Sequence, residues 1–340
     1  MTGEHAVTPV SPRDRFLGCL LGLGIGDALG MPVEGWSQER IAATYGWIDH
    51  YLPRLAEDGT VTVAAGEFTD DTEVALCHVE ALISAGGFVD PEAVGRRLIL
   101  LARGEGGRFL DPTTRAAIAR MEETDRFQDG VAEAGPAGAA VAAWIAPVAL
   151  MHALGRLNPE VFTREVLRAG LVTHSHPEAL NGALAMAYAI WLLAAEDIPP
   201  AVLIPEVAAF IDEDAVARRL RLAATLADRG GDRERDLANL WQIGTSSYVA
   251  EAVAAAMYAF VTHADDFAAA VATAVNAGGD ADTIGAMAGA LAGVHLGARA
   301  IPEALVDGLE GRMYILVAGP GLHRAAQRRA GKHLLLHPRA

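Results

Sequence analysis

The chain has 340 residues, enough to bury one large hydrophobic core or two ordinary ones. Hydrophobic residues make up 52% and aromatic residues only 6%, which excludes a largely disordered chain and favours close-packed helices over strands. The formal net charge of −16 excludes a general nucleic-acid-binding surface, although a small phosphorylated ligand held by backbone amides stays open.

Helix-forming patterns begin near the start of the chain. Ser11 followed by Pro12 predicts the start of a first helix, which Pro32 ends, and Glu34 falls on the loop just beyond. Residues 45–66 are mixed and turn-like, with a short extended piece around 61–63. Proline and aspartate-proline pairs precede several of the later helices.

These later segments predict an all-α fold, because strand alternation is almost absent from the sequence. The helices are expected at 72–84, 91–103, 112–124, 138–154, 160–169, 177–195, 202–210, 212–228, 246–262, 265–276, 282–297, 302–317 and 321–330. A charged surface connection is expected at 230–236. We predict one domain over residues 11–330, between a flexible N-terminus of residues 1–10 and a tail of residues 331–340.

No feature of the sequence predicts secretion or a membrane span. Residues 1–10 lack the basic start and apolar core of a signal peptide. The apolar stretches 137–154 and 179–195 are short for a span and fit core helices better. Cys19 and Cys77 lie in apolar helical patterns and cannot form a disulfide framework. We therefore expect a cytoplasmic protein with no membrane partner.

Two short clusters combine acids with threonines. TDDT occupies residues 69–72 and GGDADT occupies residues 278–283, and each opens into an apolar helical pattern. Aspartate and threonine are favoured helix caps, so either cluster alone is more often a cap than a ligand set. Their recurrence, about 210 residues apart, predicts one shared site that the fold brings together.

The residue types in these clusters favour hard divalent cations. Gathered aspartates would not all stay ionised without cations, because like carboxylates raise each other's pKa. Carboxylate and hydroxyl oxygens select Mg²⁺, Mn²⁺ or Ca²⁺ over Zn²⁺, and four aspartates suit two ions. The four aspartates are Asp70, Asp71, Asp280 and Asp282.

A glycine pattern follows the second cluster. Gly285, Gly289 and Gly293 recur every fourth residue, which gives the helix over 282–297 a smooth face. We expect this face to allow close helix packing and to bring the start of that helix near residues 69–71.

Three motifs together resemble those of the ADP-ribosylglycohydrolase family: GDALG at 26–30 with Glu34, FTDDT at 68–72, and GGDADT at 278–283. The resemblance covers most of residues 13–300 and implies a compact orthogonal helical bundle with a binuclear Mg²⁺ or Mn²⁺ site in a cleft. It implies that the metal ligands are Thr69, Asp70, Asp71, Asp280, Asp282 and Thr283. It also implies that Glu34 is the catalytic acid/base, although a glutamate after a proline is often only a solvated loop acid.

The activity implied by the resemblance is metal-dependent hydrolysis of the N- or O-glycosidic bond that links ADP-ribose to arginine, serine or a related acceptor. The partner would be an ADP-ribosylated protein or a small molecule containing ADP-ribose, and the chain would be a monomer or small homo-oligomer. Three alternatives stay open: a hydrolase of another ribosylated small molecule or nucleoside derivative, a binuclear phosphohydrolase, and a non-catalytic metal-binding member of the family.

Substrate contacts are also implied by the resemblance. A glycine-rich loop expected near the distal ribose contains Gly106, Gly107 and Arg108. The cleft wall is expected to contain His174 and His176. Tyr248 would be an aromatic stacking residue, and Gly138 would belong to the phosphate loop. An ordinary glycine turn, a helix entry and a core tyrosine are the competing explanations. Ala139, Ala140 and Trp144 replace the family's usual Asn, Gly and Arg, which leaves the ribosylated substrate open.

Overall fold

The structure is a computed structural model that describes residues 9–131, 137–228 and 231–336. Most of the predicted N-terminal segment, the last residues of the predicted tail, and Gly135 and Pro136 of the phosphate loop lie outside these residues. The described residues form an all-α fold, as the sequence predicted, and the extended piece expected around 61–63 belongs to one small two-stranded sheet.

The α-helices in chain order are α1 Pro12–Gly30, α2 Gln38–Tyr45, α3 Asp70–Ser84, α4 Pro91–Arg103, α5 Pro112–Thr124, α6 Ala140–Ala143, α7 Ala146–Leu150, α8 Pro159–Gly170, α9 Pro177–Trp191, α10 Pro200–Phe210, α11 Ala215–Leu226, α12 Arg233–Ile243, α13 Val249–Thr262, α14 Phe267–Asn276, α15 Ala281–Leu296, α16 Glu303–Gly308 and α17 Arg312–Leu336. Short 3₁₀ turns cover Met31–Val33, Glu105–Arg108 and Ala298–Ala300, and a π-turn covers Leu192–Glu196. Strands β1 Arg54–Leu55 and β2 Val61–Val63 pair antiparallel.

Helix starts with a capping side chain were predicted most closely. Asp90 and Asp111 each accept backbone hydrogen bonds at the first turn of α4 and α5, and proline occupies the first helical position of both. Because the cap and the proline together fix where helical geometry begins, both helices have the predicted bounds.

Other boundaries were predicted wrongly. The helix expected over 138–154 is broken into α6 and α7, because Pro147 at the start of α7 has no N–H to continue the first segment. Residues 233–236 of the connection expected at 230–236 instead form the first turn of α12, which Asp232 caps, and Gly230 lies outside the described residues. The break expected between the helices 302–317 and 321–330 is absent. Helix α17 runs through Pro320 with Leu322 and Ala325 fully buried, so packing outweighs the proline.

The centre of the molecule is the contact between α1 and α15, which cross at their glycines. A Cβ atom built on Gly22 would lie 2.0 Å from the carbonyl oxygen of Gly289, and one on Gly26 would lie 1.9 Å from that of Gly285. Such distances mean that the two backbones touch without intervening side chains. The predicted glycine face of α15 therefore packs closely against a matching face of α1.

Among the residues that the structure describes, two helical segments are long and apolar enough to cross a membrane by length and composition, Pro12–Val33 and Pro177–Glu196. Their apolar windows are 94% and 72% buried inside the protein, as in core helices. The first includes α1 and the second begins with α9, and both pack within the hydrophobic core.

Candidate metal centre

Asp27 ties the end of α1 to the start of α3. Its fully buried carboxylate accepts hydrogen bonds from the Thr69 N–H at 3.0 Å, the Thr72 N–H at 3.1 Å and the Thr72 hydroxyl at 2.6 Å. Burial raises the pKa of Asp27 to about 6, against the lowering effect of these hydrogen bonds. The glycine contact of α1 with α15 and the carboxylate of Asp27 therefore position the TDDT turn together.

The first cluster forms the N-terminus of α3. The Thr69 hydroxyl accepts the Asp71 N–H at 3.4 Å, so Thr69 is the helix cap that its residue type predicts. Asp70 and Asp71 lie in the first turn, where the partial positive charge of the helix end favours carboxylates.

The second cluster opens α15 through a tight backbone turn. Gly278 and Gly279 have φ of 73° and 72°, and a Cβ on Gly279 would lie 1.9 Å from the Thr245 carbonyl oxygen. The Gly279 carbonyl accepts the Gly35 N–H at 2.7 Å, and the Gly279 N–H donates to the Trp36 carbonyl at 2.8 Å. These two bonds hold the loop that carries Glu34 against the turn that carries Asp280.

The two clusters and Glu34 line one cavity of about 420 Å³. Six carboxylates face it: Glu34, Asp70, Asp71, Asp111, Asp280 and Asp282. The remaining lining residues are Phe109, Leu110, Pro112, Thr113, Gly138, Ala139, Ala140, His174, Ser247 and Thr283. Within the described ranges, no arginine or lysine lines this cavity to balance the charge of its six carboxylates.

Burial and mutual repulsion raise the pKa of these carboxyls. Burial, then the Asp111 charge, raises the pKa of Asp70 to about 8, and burial, then the Glu34 charge, raises that of Asp280 to about 7. The pKa values of Asp71 and Asp282 rise well above the ordinary range, first through burial and then through neighbouring carboxylates. Such a cluster is stable only when protonated or when cations neutralise it.

The donor set fits a hard divalent cation chemically, since it consists of carboxylate and hydroxyl oxygens. The fit is incomplete in geometry. Among the residues that the structure describes, no three Asp, Glu, His or Cys side chains converge as a group that could hold a metal ion. Thr69, whose hydroxyl is engaged in capping, is also absent from the cavity lining, whereas Thr283 is present.

Glu34 lies at the rim of the cavity with its side chain 44% exposed. Its Oε2 atom accepts a hydrogen bond from Arg54 Nη1 at 2.9 Å, and Arg54 belongs to the short strand β1. This ion pair joins residues 20 apart in the sequence, and nothing in the motif pattern predicted it.

Asp111 is a cavity residue that sequence reasoning missed. Its backbone N–H donates to Asp70 Oδ2 at 3.0 Å, and its Oδ1 caps α5. Its Oδ2 is buried and makes no hydrogen bond with the described residues. The Asp-Pro pair at 111–112 indicated a cap, which is correct for one oxygen and conceals the cavity-facing role of the residue.

The predicted substrate contacts fall in three places. Gly138 and His174 line the carboxylate cavity. Gly106 and Arg108 line an adjacent cavity of about 250 Å³, where Arg108 pairs with Glu67. Gly107, which belongs to the same 3₁₀ turn, is buried.

His176 and Tyr248 lie outside the carboxylate cavity. His176 caps α9, its Nδ1 accepting the Glu178 N–H at 3.2 Å. The Tyr248 hydroxyl donates to Glu178 Oε2 at 2.9 Å, and the backbone of Tyr248 pairs with that of Gly138. Tyr248 therefore supports the cavity wall at Gly138, whereas His176 serves as a helix cap.

The three residues that replace the family's usual Asn, Gly and Arg lie in two different places. Ala139 and Ala140 line the cavity, so methyl groups form part of its wall. Trp144 is buried and stacks on His78 with ring centroids 4.8 Å apart and planes 15° apart. The tryptophan thus packs in the core beneath the wall.

Comparison with known proteins agrees with this architecture. The family model described as ADP-ribosylglycohydrolase matches residues 8–333. The chain is 32% identical over 305 residues to an uncharacterised protein of Archaeoglobus fulgidus, covering 89% of this chain and 94% of that protein. It is 29% identical over 308 residues to ADP-ribosyl-dinitrogen reductase glycohydrolase of Rhodospirillum rubrum, covering 89% of this chain and 93% of that protein.

A third relative and a solved structure agree with these matches. The chain is 29% identical over 307 residues to ADP-ribosylarginine hydrolase Tri1 of Pseudomonas putida, covering 88% of this chain and 76% of that protein. A solved structure described as an ADP-ribosylglycohydrolase-related protein complex superposes with a TM-score of 0.72 at 28% identity, covering 93% of this chain and 99% of that one. The chain therefore belongs to the ADP-ribosylglycohydrolase family and is an enzyme of the class that hydrolyses glycosidic bonds.

Proposed function

We propose that this enzyme releases ADP-ribose from a modified protein side chain, arginine or serine, or from a related acceptor, and that it requires two Mg²⁺ or Mn²⁺ ions. The observation that carries the proposal is the cavity of six carboxylates, which combines both acid-threonine clusters with Glu34 in a chain of this family.

The ions would be held by Asp70, Asp71, Asp280 and Asp282 with the hydroxyls of Thr283 and Thr69. Thr69 would have to share its hydroxyl between an ion and the Asp71 N–H, whereas Thr283 already faces the cavity. When bound, the ions would neutralise the clustered carboxylates and orient hydroxyl groups of the substrate and an attacking water.

Glu34 is suited to the proton transfers of glycoside hydrolysis. The reaction needs a carboxyl group that removes a proton from water or gives one to the leaving group as charge develops on the sugar ring. Glu34 lies at the solvent side of the cavity, and Arg54 engages only its Oε2 atom. The Oε1 atom, which makes no hydrogen bond with the described residues, is therefore available to a substrate.

The acceptor is the open part of the proposal. The named relatives of Rhodospirillum rubrum and Pseudomonas putida act on ADP-ribosylated dinitrogen reductase and on ADP-ribosylarginine, which favours an arginine acceptor. A second candidate is a ribosylated small molecule without a diphosphate, favoured by the Ala139 and Ala140 wall and by the absence of arginine and lysine from the described lining.

The test is incubation of the protein with Mg²⁺ or Mn²⁺ and with arginine-, serine- and nucleobase-linked ADP-ribose and simple ribosides. We expect free ADP-ribose from at least one linked substrate, and loss of at least about a hundredfold in kcat for Glu34→Gln. Glu57→Gln, at an exposed position outside the cavity lining, is the matched control and should keep full activity. Cleavage of simple ribosides alone would replace the ADP-ribosyl proposal by the second candidate. If no substrate is cleaved, both fail.

A further inference from the structure

A second cavity lies between the turn that follows α7, the start of α8 and the C-terminal half of α17. Its volume is about 270 Å³, and it shares no lining residue with the carboxylate cavity. Its walls are partly apolar, formed by Met151, Leu154, Val161 and Ala330.

The polar residues of this cavity have the opposite character to those of the carboxylate cavity. His152, Arg156, Asn158 and Arg329 line it, and none of its described lining residues is an aspartate or glutamate. Although the whole chain carries a net charge of −16, two arginines and a histidine line this cavity.

Arg329 is the buried part of this arrangement, with only 5% of its surface exposed. Its Nη1 atom donates to the Gly87 carbonyl at 2.6 Å and to Glu165 Oε2 at 2.7 Å. Glu165 Oε2 also lies 3.0 Å from His152 Nε2, so this one carboxylate orients both basic side chains from outside the cavity lining. Nη1 of Arg329 makes both of these short hydrogen bonds, and Nη2 makes one longer contact of 3.4 Å with His152 Nε2. Because Nη2 carries two N–H groups, one of them is left to donate to a ligand.

Glu165 balances the charge of Arg329, whereas no carboxylate among the described residues balances the positive charge of Arg156. It is exposed at the cavity mouth, and no ion pair within the described ranges includes it. The planar guanidinium of Arg156 can bind two oxygens of a carboxylate or phosphate group, and Arg329 can add one N–H donor from a fixed orientation.

We propose that this cavity is a binding site for a compact organic anion, with a carboxylate or phosphate group beside Arg329 and Arg156 and an apolar body against Met151 and Leu154. The cavity volume admits a single aromatic ring with one acidic group. The proposal does not depend on the reaction at the carboxylate cavity.

The experiment is calorimetric titration of the full chain, at low ionic strength, with benzoate, phenyl phosphate and the neutral isostere benzamide. Benzoate or phenyl phosphate should bind with Kd on the order of 1 mM, as expected for so small a ligand, and benzamide should bind at least about tenfold more weakly. The tighter of the two anions identifies the acidic group that the site prefers.

Arg156→Glu should weaken the anions by about tenfold or more, because it reverses the unbalanced charge while leaving the buried Arg329 intact. Arg164→Glu is the matched control, since Arg164 lies exposed on α8 outside this cavity. The affinity of this variant for the two anions should stay within about twofold of that of the unmodified protein. Three results would each overturn the proposal: no binding of either anion, equal binding of benzamide, or equal effects of the two substitutions.

Discussion

The glycine contact between α1 and α15 leads us to predict that two glycine-to-alanine substitutions on α1 differ in stability. The difference would come from backbone packing and not from helix propensity. In Gly22→Ala, the added Cβ would lie 2.0 Å from the Gly289 carbonyl oxygen, whereas ordinary van der Waals contact begins near 3.4 Å. The helices would have to separate by about 1.4 Å, the difference between these distances. Because the obstacle is backbone, no change of rotamer relieves it.

Gly24 provides the matched control on the same helix. A Cβ there would meet only side-chain tips, Ile315 Cδ1 at 3.3 Å and Leu309 Cδ2 at 3.4 Å. Both substitutions gain the same helix propensity, about 1 kcal/mol, so this contribution cancels between them. Overpacking costs typically about 1–3 kcal/mol, which is the expected deficit of Gly22→Ala relative to Gly24→Ala.

The assay is urea denaturation of both variants and the unmodified protein, followed by circular dichroism, with thermal melting as a second measure. Gly22→Ala should unfold at the lowest urea concentration, and Gly24→Ala should lie close to the unmodified protein or above it. Equal midpoints for the two variants would refute the inference that the backbones of α1 and α15 touch.

Three further predictions concern single side chains. Asp27→Asn keeps the shape of the side chain but places an amide group among three donors. We expect the free energy of unfolding, measured by urea denaturation, to fall by about 2–3 kcal/mol, and the rise in Tm on adding Mn²⁺ to become smaller. An unchanged Tm response would show that Asp27 does not position the TDDT turn. Arg54→Ala should lower kcat because Glu34 loses the ion pair that orients it, yet it should change the free energy of unfolding by less than about 1 kcal/mol. Arg103→Ala, at another exposed ion pair, is the control. Equal kcat in the two variants would count against positioning of Glu34 by Arg54. Burial lowers the pKa of His78 to about 3, so unfolding takes up a proton below the ordinary value and stability falls as pH falls below about 6.5. His78→Phe should remove about 2 kcal/mol of the stability difference between pH 7 and pH 5 in urea denaturation, and an unchanged difference would refute this cause.

The features predicted well from sequence are those that local chemistry determines. Caps such as Asp90 and Asp232 are equally visible as residue types, yet only the first was recognised, because a proline follows it and the second stands in a charged run. The charged run of 232–236 looked like a solvated loop, although Asp236 is fully buried and bonded to Tyr258 and His263. Burial of a charged residue depends on partners distant in sequence, which a local pattern does not contain.

In the candidate site, too, some residues could be predicted from local sequence and others could not. The two acid-threonine clusters were visible because each places several oxygen groups within four residues. Asp111 and Arg54 were not, since each is a single charged residue in an ordinary context, and only the fold brings one to Asp70 and the other to Glu34. Their roles depend on distances across the structure, not on spacing along the chain.

The GDALG motif shows how a sequence pattern acquires its meaning from packing. Gly26 and Gly30 allow the end of α1 to lie directly against the start of α15, and Asp27 between them holds the TDDT turn through its backbone N–H groups. One turn of helix thus fixes both acid-threonine clusters relative to each other, although the motif contributes no residue to the described cavity lining. A substitution at Gly26 should therefore push the start of α15 away from α1 and so move the two clusters apart, whereas one at Asp27 should displace only the TDDT turn.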